Sequence, residues 1–345
     1  MCGILGAFGP SAKNLFQKAK PALDLIKHRG PDAEGLYLDP QGRFFLGHRR
    51  LSILDLSTQS NQPMFAGKDA LVYNGEIYNH QSLRSSSLKY GTSSDTESLL
   101  KASDLKNFLQ SSIGMFAGAH WKDSESKLTL FSDSLGIKPL FYTILTDSTY
   151  IFSSEERPVL YLSQQSIQIN LDSIKCFLSF ENFPDHFSAF SSIKRLKRGT
   201  LLHLSQTSDG KVKVESDFFE YQSIGSKQSI THFDQAVKIA SENFSESVSR
   251  HLLSDASVAV YLSGGIDSSL VATLAAENYK EKMTGYTGYF EESSFFDERP
   301  LSRAVAKKAG INLEEVKISS QDFINNFDDL ITSLAQPRMS FGSFS

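Results

Sequence analysis

Up to about residue 200 the chain alternates short apolar runs with turn-forming residues. Ile4, Leu5, Ala7 and Phe8, with glycines at 3, 6 and 9, read as a buried strand at the very start. Further strand-like runs are Phe44-Phe45-Leu46, Ala70-Leu71-Val72-Tyr73, Lys127-Leu128-Thr129-Leu130-Phe131, Leu140-Phe141-Tyr142 and Tyr150-Ile151-Phe152. Helical spacing is confined to about 14–27, 96–109 and 172–180. Many strands with few helices predict an α+β domain, with sheets in layers and helices outside. The polar stretch from Ser205 to Ser229, containing Asp209-Gly210, predicts a linker or a surface hairpin.

Beyond that stretch the pattern changes. A helix near 232–252 leads to the strand Val258-Ala259-Val260-Tyr261-Leu262, a glycine turn and a helix through Leu270–Leu274. A strand (284–290), a helix (299–309), a strand (313–318) and a helix (321–334) follow. This βαβα alternation predicts a parallel, doubly wound α/β sheet. Three strands leave one edge of such a sheet unfinished, so the second domain is expected to be incomplete, lacking a C-terminal part. The expected division is 2–205, a linker over 206–229, and 230–345.

Length and composition sharpen this picture. The 345 residues exceed what one core usually holds, in agreement with two domains. A net charge of −4 gives no electrostatic argument for nucleic acid or an anionic membrane as partner. The cluster from Lys194 to Gly199 reads as a solvated basic turn. No run reaches the roughly 18 apolar residues of a membrane helix, and no signal segment opens the chain; a cytoplasmic protein is expected. The only cysteines, Cys2 and Cys176, form neither a disulfide framework nor a metal motif. Cys176, on an apolar helix, reads as a buried structural thiol. His28, His48 and His80 lack metal spacing and receive no catalytic role.

Cys2 changes the picture most. Once Met1 is removed, thiol and free α-amine share one residue. An α-amine has an ordinary pKa of roughly 7.7–8.0, so it can accept the thiol proton directly or through one water. That is a nucleophile with its own base, and retention of Met1 would abolish it. Three further features suit attack on a carboxamide. Asn74 and Gly75, after the strand at 70–73, can present N–H donors to an oxyanion. Arg50 can grip a carboxylate bidentately, and Asp95, opening a helix, can bind an ammonium. Each also has a plain structural reading: Asn74-Gly75 as a hairpin turn, Asp95 as an N-cap, Arg50 as a surface arginine.

In the second domain, Ser263-Gly264-Gly265-Ile266-Asp267-Ser268-Ser269 joins a strand to a helix. The glycines permit close backbone approach, and N–H groups at the helix start form a nest for phosphate with the serine hydroxyls. No lysine follows the glycines as in a Walker A loop. Asp267 instead places a carboxylate near the phosphates, which calls for Mg²⁺ between them. The plain alternative is a glycine turn with Asp267 as N-cap.

Taken together, the motifs Cys2-Gly3-Ile4, His28-Arg29-Gly30-Pro31-Asp32, Arg50-Leu51-Ser52-Ile53, Gln62-Pro63-Met64, Tyr73 to Asn79, Ser94-Asp95-Thr96-Glu97, Gly114-Met115-Phe116-Ala117 and Asp133 to Leu140 resemble the class II glutamine amidotransferases. Residues 263–269 resemble the loop of ATP-pyrophosphatases, and the whole chain resembles the glutamine-hydrolysing asparagine synthetase family. The resemblance implies a four-layer αββα sandwich of the N-terminal nucleophile type, joined to an incomplete synthetase domain. It implies Cys2 as nucleophile and Asn74 and Gly75 as oxyanion hole. Arg50, Leu51, Ser52, Ile53, Leu54, Asn74, Gly75, Glu76 and Asp95 would hold glutamine. Tyr261, Ser263, Gly264, Gly265, Asp267, Ser268 and Gly288 would hold ATP, with Mg²⁺ at Asp267 and no tightly bound organic cofactor. Aspartate is the expected acceptor, with ammonia reaching it through an internal tunnel, and a homodimer is left open. These residues alone are expected to hydrolyse glutamine, with synthesis impaired. Two competing readings are an amidotransferase acting on another carboxylate and a non-catalytic glutamine-binding homologue.

Overall fold

In the computed structural model, residues 1–184, 187–220, 230–290, 297–334 and 336–337 are described. The chain divides into two compact units, 1–222 and 223–345. The first holds strands β1 (Gly3–Phe8), β2 (Ala33–Leu38), β3 (Phe44–Arg50), β4 (Met64–Ala66), β5 (Asp69–Ile77), β6 (Gly114–Lys122), β7 (Lys127–Ser132), β8 (Phe141–Ile144), β9 (Tyr150–Ser153), β10 (Lys194–Arg195), β11 (Thr200–Gln206) and β12 (Val212–Phe218). Its helices are α1 (Ala12–Phe16), α2 (Ala19–Asp24), α3 (Asp95–Leu100), α4 (Leu105–Ser111), α5 (Glu156–Ser163) and α6 (Leu171–Phe180).

Two antiparallel sheets form, ordered β10-β8-β9-β1-β3-β2 and β12-β11-β7-β6-β5-β4. Side chains alternate across a strand, so each apolar run feeds two cores. Ile4 and Phe8 of β1 and Phe44 and Leu46 of β3 meet Val72, Ala119, Trp121 and Leu130 between the sheets. Leu5, Ala7 and Phe45 point the other way, against Ala12, Leu23, Val159 and Leu162 of α1, α2 and α5. On the far side, Leu71 and Tyr73 of β5 pack under Leu99, Leu100, Phe108 and Leu109 of α3 and α4. The layers are therefore helix, sheet, sheet, helix, the expected αββα sandwich.

Four local expectations need correction. The helix expected over 14–27 is split into α1 and α2, because Pro21 lacks an N–H and its ring would strike the Gln17 carbonyl of a continuous helix. The helix expected over 96–109 ends at α3 and restarts at α4, whose Asp104 carboxylate accepts the Asn107 N–H at 2.9 Å as an N-cap. The expected linker over 206–229 contains β12, which pairs along β11 from Thr200↔Phe218 to Gln206↔Val212. A hairpin is thus present where polarity also suggested a linker; residues 221–229 lie outside the described ones. Cys176, expected to be buried, is half-buried on α6.

The second unit comprises α7 (Phe233–His251), β13 (Ala259–Tyr261), α8 (Ile266–Asn278), β14 (Thr284–Phe290), α9 (Arg299–Ala309), β15 (Asn312–Ile318) and α10 (Ser320–Leu334). Its sheet is parallel, ordered β13-β14-β15, with Leu262, Ala272, Ala306 and Ile311 in one core cluster. This is the expected α/β pattern. The expectation concerning the C-terminal end falls on residues outside the described ones. No helix among the described residues is long and apolar enough to cross a membrane.

Candidate active site

Cys2 precedes β1, whose first residues are anchored from three directions. The Ser154 hydroxyl accepts the Ile4 N–H at 3.0 Å, and the Ser153 hydroxyl donates to the Ile4 carbonyl at 2.9 Å. The Arg29 Nε donates to the Cys2 carbonyl at 3.0 Å. Glu155, itself buried, accepts Arg29 at 3.2 Å and Arg157 at 3.2 Å and meets the His28 Nε2 at 2.7 Å. The Arg29 and His28 pairs hold the Glu155 carboxyl below its ordinary range, against the opposing effect of burial, which is the largest single influence. His28 thus has a structural partner in Glu155.

The Cys2 sulfur opens into a cavity of about 140 Å³ at the ends of the two sheets. It accepts the Leu51 N–H at 3.4 Å and lies 3.7 Å from the Leu51 carbonyl. Burial pushes its thiol pKa up, and the Leu51 hydrogen bond opposes this. With Met1 attached, burial also lowers the pKa of the terminal amine.

The same cavity is lined by Arg50, Leu51, Ile53, Leu54, Asn74, Gly75, Glu76 and Asp95, residues that are far apart in sequence. Asn74 and Gly75 do not form a hairpin turn. They lie within β5, in register with Ala117 and Phe116 of β6. Asn74 is 1% exposed, yet neither its Oδ1 nor its Nδ2 has a hydrogen-bond partner. A buried amide left so is costly unless a ligand completes it. Gly75 permits this close packing, since a Cβ there would lie 2.2 Å from the Met115 carbonyl oxygen.

Asp95 is the first residue of α3, while Ser94 is its N-cap and accepts the Thr96 N–H at 3.1 Å. The Asp95 carboxylate is buried, accepting the Tyr73 hydroxyl at 2.9 Å and the Ile77 N–H at 3.0 Å. Burial raises its pKa against these bonds. Burial, and then the Asp95 charge, raise the Glu76 carboxyl to about 7.

Two expectations are modified here. Arg50 is buried, and its terminal nitrogens donate to Ser57 O and Asn61 Oδ1, both at 2.8 Å, to Leu54 O at 3.2 Å and to Asp55 O. Its fork shapes the loop over 51–61 and is not free for a bidentate carboxylate. Ser52 is directed elsewhere: its N–H donates to Asp32 at 2.7 Å, and it does not line the cavity. Conversely, Gln62, Tyr73, Met115 and Lys138 line the cavity without having been assigned roles, although each stands in a motif that carried the resemblance.

In the second unit, Tyr261 is 83% exposed at the end of β13, beside Tyr286 of β14; Gly288 lies two residues further along β14. Gly264 has φ +83° and meets Leu301 and Ser302 of α9 so closely that a Cβ would lie 2.5 Å from Leu301 Cβ. Gly265, not Asp267, is the N-cap of α8, and no side chain caps that helix, so its first N–H groups remain available. Ser263 and Ser268 hydroxyls pair at 2.8 Å, and the Ser269 Oγ is buried without a partner. These features fit an anion at the loop. No cluster of three His, Cys, Asp or Glu among the described residues could hold a metal, so Asp267 suits Mg²⁺ only where phosphate oxygens supply the other ligands.

Residues 1–216 match the family model of the glutamine amidotransferase domain, and residues 240–344 match that of asparagine synthase. The chain is 31% identical over 349 residues to "Asparagine synthetase [glutamine-hydrolyzing] 1" of Bacillus subtilis, covering 98% of this chain and 53% of the relative. It is 34% identical over 316 residues to asparagine synthetase 2 of the same organism, covering 86% and 41%. It is also 28% identical over 342 residues to "Amidase chry2" of Gibberella zeae, covering 92% and 49%. The chain therefore spans about half the length of these relatives.

Proposed function

The chain belongs to the glutamine amidotransferase domain family, and from that premise we propose that its first unit takes ammonia from glutamine through a Cys2 thioester. The observation that carries the reading is the buried, unpartnered Asn74 amide on the same cavity wall as the Cys2 sulfur. With Met1 removed, the α-amine takes the thiol proton and the sulfur adds to the side-chain carbonyl carbon of glutamine. The resulting oxyanion is met by donors of Asn74 and Gly75. Its collapse breaks the carbon–nitrogen bond, the amine returns its proton to the leaving nitrogen, and ammonia departs. Water then adds to the thioester with the same amine as base, and glutamate leaves as the thiol re-forms. Leu51, Ile53 and Leu54 cover the substrate's stem, Asp95 and Glu76 take its ammonium, and Arg50 holds the covering loop in shape.

The match to asparagine synthase over 240–344 extends the proposal to the second unit. Ser263, Gly264, Gly265 and Ser268 would hold ATP phosphates, with Tyr261 and Gly288 beside the nucleotide and Asp267 toward Mg²⁺, which would offset phosphate charge. An aspartate side-chain oxygen attacks the α-phosphorus and pyrophosphate leaves. Ammonia then adds to the acyl carbon, a proton is released, and AMP departs to leave asparagine. ATP–pyrophosphate exchange that requires aspartate tests this acceptor; exchange with a different carboxylate alone would reassign it. Glutamate release from glutamine tests the first unit, and its absence from folded, Met1-free protein would leave a binding homologue.

Glu76 gives the reaction a pH dependence. Its carboxyl, raised to about 7, must ionise to pair with the substrate ammonium, so KM for glutamine falls as pH rises through about 7. The variant Glu76→Gln loses this dependence and has a KM about tenfold higher at pH 8. KM measured between about pH 6 and 8.5 in both proteins tests this. An unchanged profile in the variant would remove Glu76 from the ammonium site.

A further inference from the structure

Lys138 is a buried cation on the cavity wall with no role in the chemistry above. The loop that carries it is built around the buried Asp133 carboxylate. That carboxylate accepts the N–H groups of Leu135 and Ile137 at 3.0 Å and those of Phe116 and Lys138 at 3.1 Å. The result inverts the usual polarity of a surface turn. Leu135 and Ile137 are 61% and 51% exposed, whereas Lys138 is 6% exposed and lines the cavity that contains the Cys2 sulfur. Among the described residues its ammonium makes no hydrogen bond or ion pair. An ammonium largely withdrawn from water and without a partner favours an anion in the same cavity. Arg50, the other cation on this wall, has both terminal nitrogens committed to loop oxygens.

We propose that the Lys138 ammonium is the counter-charge of the Cys2 sulfur, stabilising it as thiolate and then stabilising the oxyanion formed from its attack. The proposal rests on the amidotransferase reading and adds a residue to it. Lys138 and Cys2 line the same cavity. Burial and then the Arg29 charge disfavour the Lys138 ammonium, and the Cys2 charge favours it. Burial lowers the Lys138 pKa, as befits an ammonium waiting for an anion.

The test is the pH dependence of Cys2 alkylation by iodoacetamide, a neutral reagent, in Met1-free protein. The sulfur displaces iodide, and peptide mapping separates Cys2 from Cys176. Lys138→Met retains the stem and removes the charge; its alkylation midpoint is expected to rise by roughly one pH unit. Lys138→Arg is expected to stay near the unaltered protein. For glutamine, Lys138→Met should lower kcat about tenfold and leave KM nearly unchanged. Thermal melts check that both variants fold. An unchanged alkylation midpoint in Lys138→Met overturns the proposal, and with a raised glutamine KM it would assign the ammonium to the substrate carboxylate. If the unaltered protein alkylates normally but releases no glutamate, the amidotransferase reading fails while the alkylation comparison still judges Lys138.

Discussion

Replacing Cys2 by alanine is expected to reduce glutamate release from glutamine to background while leaving glutamine binding intact. Among the described residues that line the cavity, the Cys2 thiol is the strongest nucleophile, and none of them is a histidine that could activate a water in its place. Of the neighbouring histidines, His28 is engaged by Glu155, and His48 is buried with its Nε2 3.1 Å from the Tyr73 carbonyl. Burial lowers the His48 pKa to about 3, so it stays neutral and is not a cation near the site. The substitution removes one sulfur at the start of β1, where the anchoring bonds to Ser153, Ser154 and Arg29 involve backbone atoms and persist. Calorimetric titration with glutamine and a glutamate-release assay together check the expectation. Residual turnover near that of the unaltered protein would mean that another nucleophile works here.

The second large effect concerns Asn74. Its amide is held in place by β5 and its register with β6, and both of its polar atoms are unsatisfied in the interior. Such a preorganised donor costs no reorganisation when the oxyanion forms, which is why its removal is felt in kcat. Asn74→Ala should lower kcat by about 100- to 1000-fold with a smaller change in KM. It should not destabilise the protein as loss of a satisfied buried amide would, because no hydrogen bond of the free protein is broken. Steady-state kinetics and a denaturant melt test the two parts. An Asn74→Ala protein with normal kcat and reduced stability would make Asn74 a structural residue.

Much of this was legible in the sequence, and the failures have physical causes. The alternation Ile4/Phe8 against Leu5/Ala7, and Ala70/Val72 against Leu71/Tyr73, reads directly as strands with cores on both faces, which is what the sandwich contains. Polarity leaves strand β12 open between a hairpin and a linker because it is the outermost strand of its sheet, with Lys213, Glu215 and Ser216 exposed. Asn74-Gly75 has the composition of a hairpin turn, and only pairing with residues some forty positions later in β6 keeps it extended. Arg50 stands out in the sequence, but its partners are three loop carbonyl oxygens and the Asn61 side chain, which leave no mark there. Lys138 has no assigned role for a related reason: the sequence does not tell which way a lysine between Ile137 and Pro139 faces, and only the Asp133 hub sets it inward.

The proposed chemistry requires a Cys2 α-amine that is free only after Met1 is gone. Glutamate release should therefore be compared between mass-verified Met1-free protein and the same chain with Met1 attached, at equal concentration and with equal melting behaviour. Release by the Met1-free protein alone is the predicted result. Equal release by the Met1-bearing chain would show that the Cys2 amine is not the base, and would contradict the mechanism.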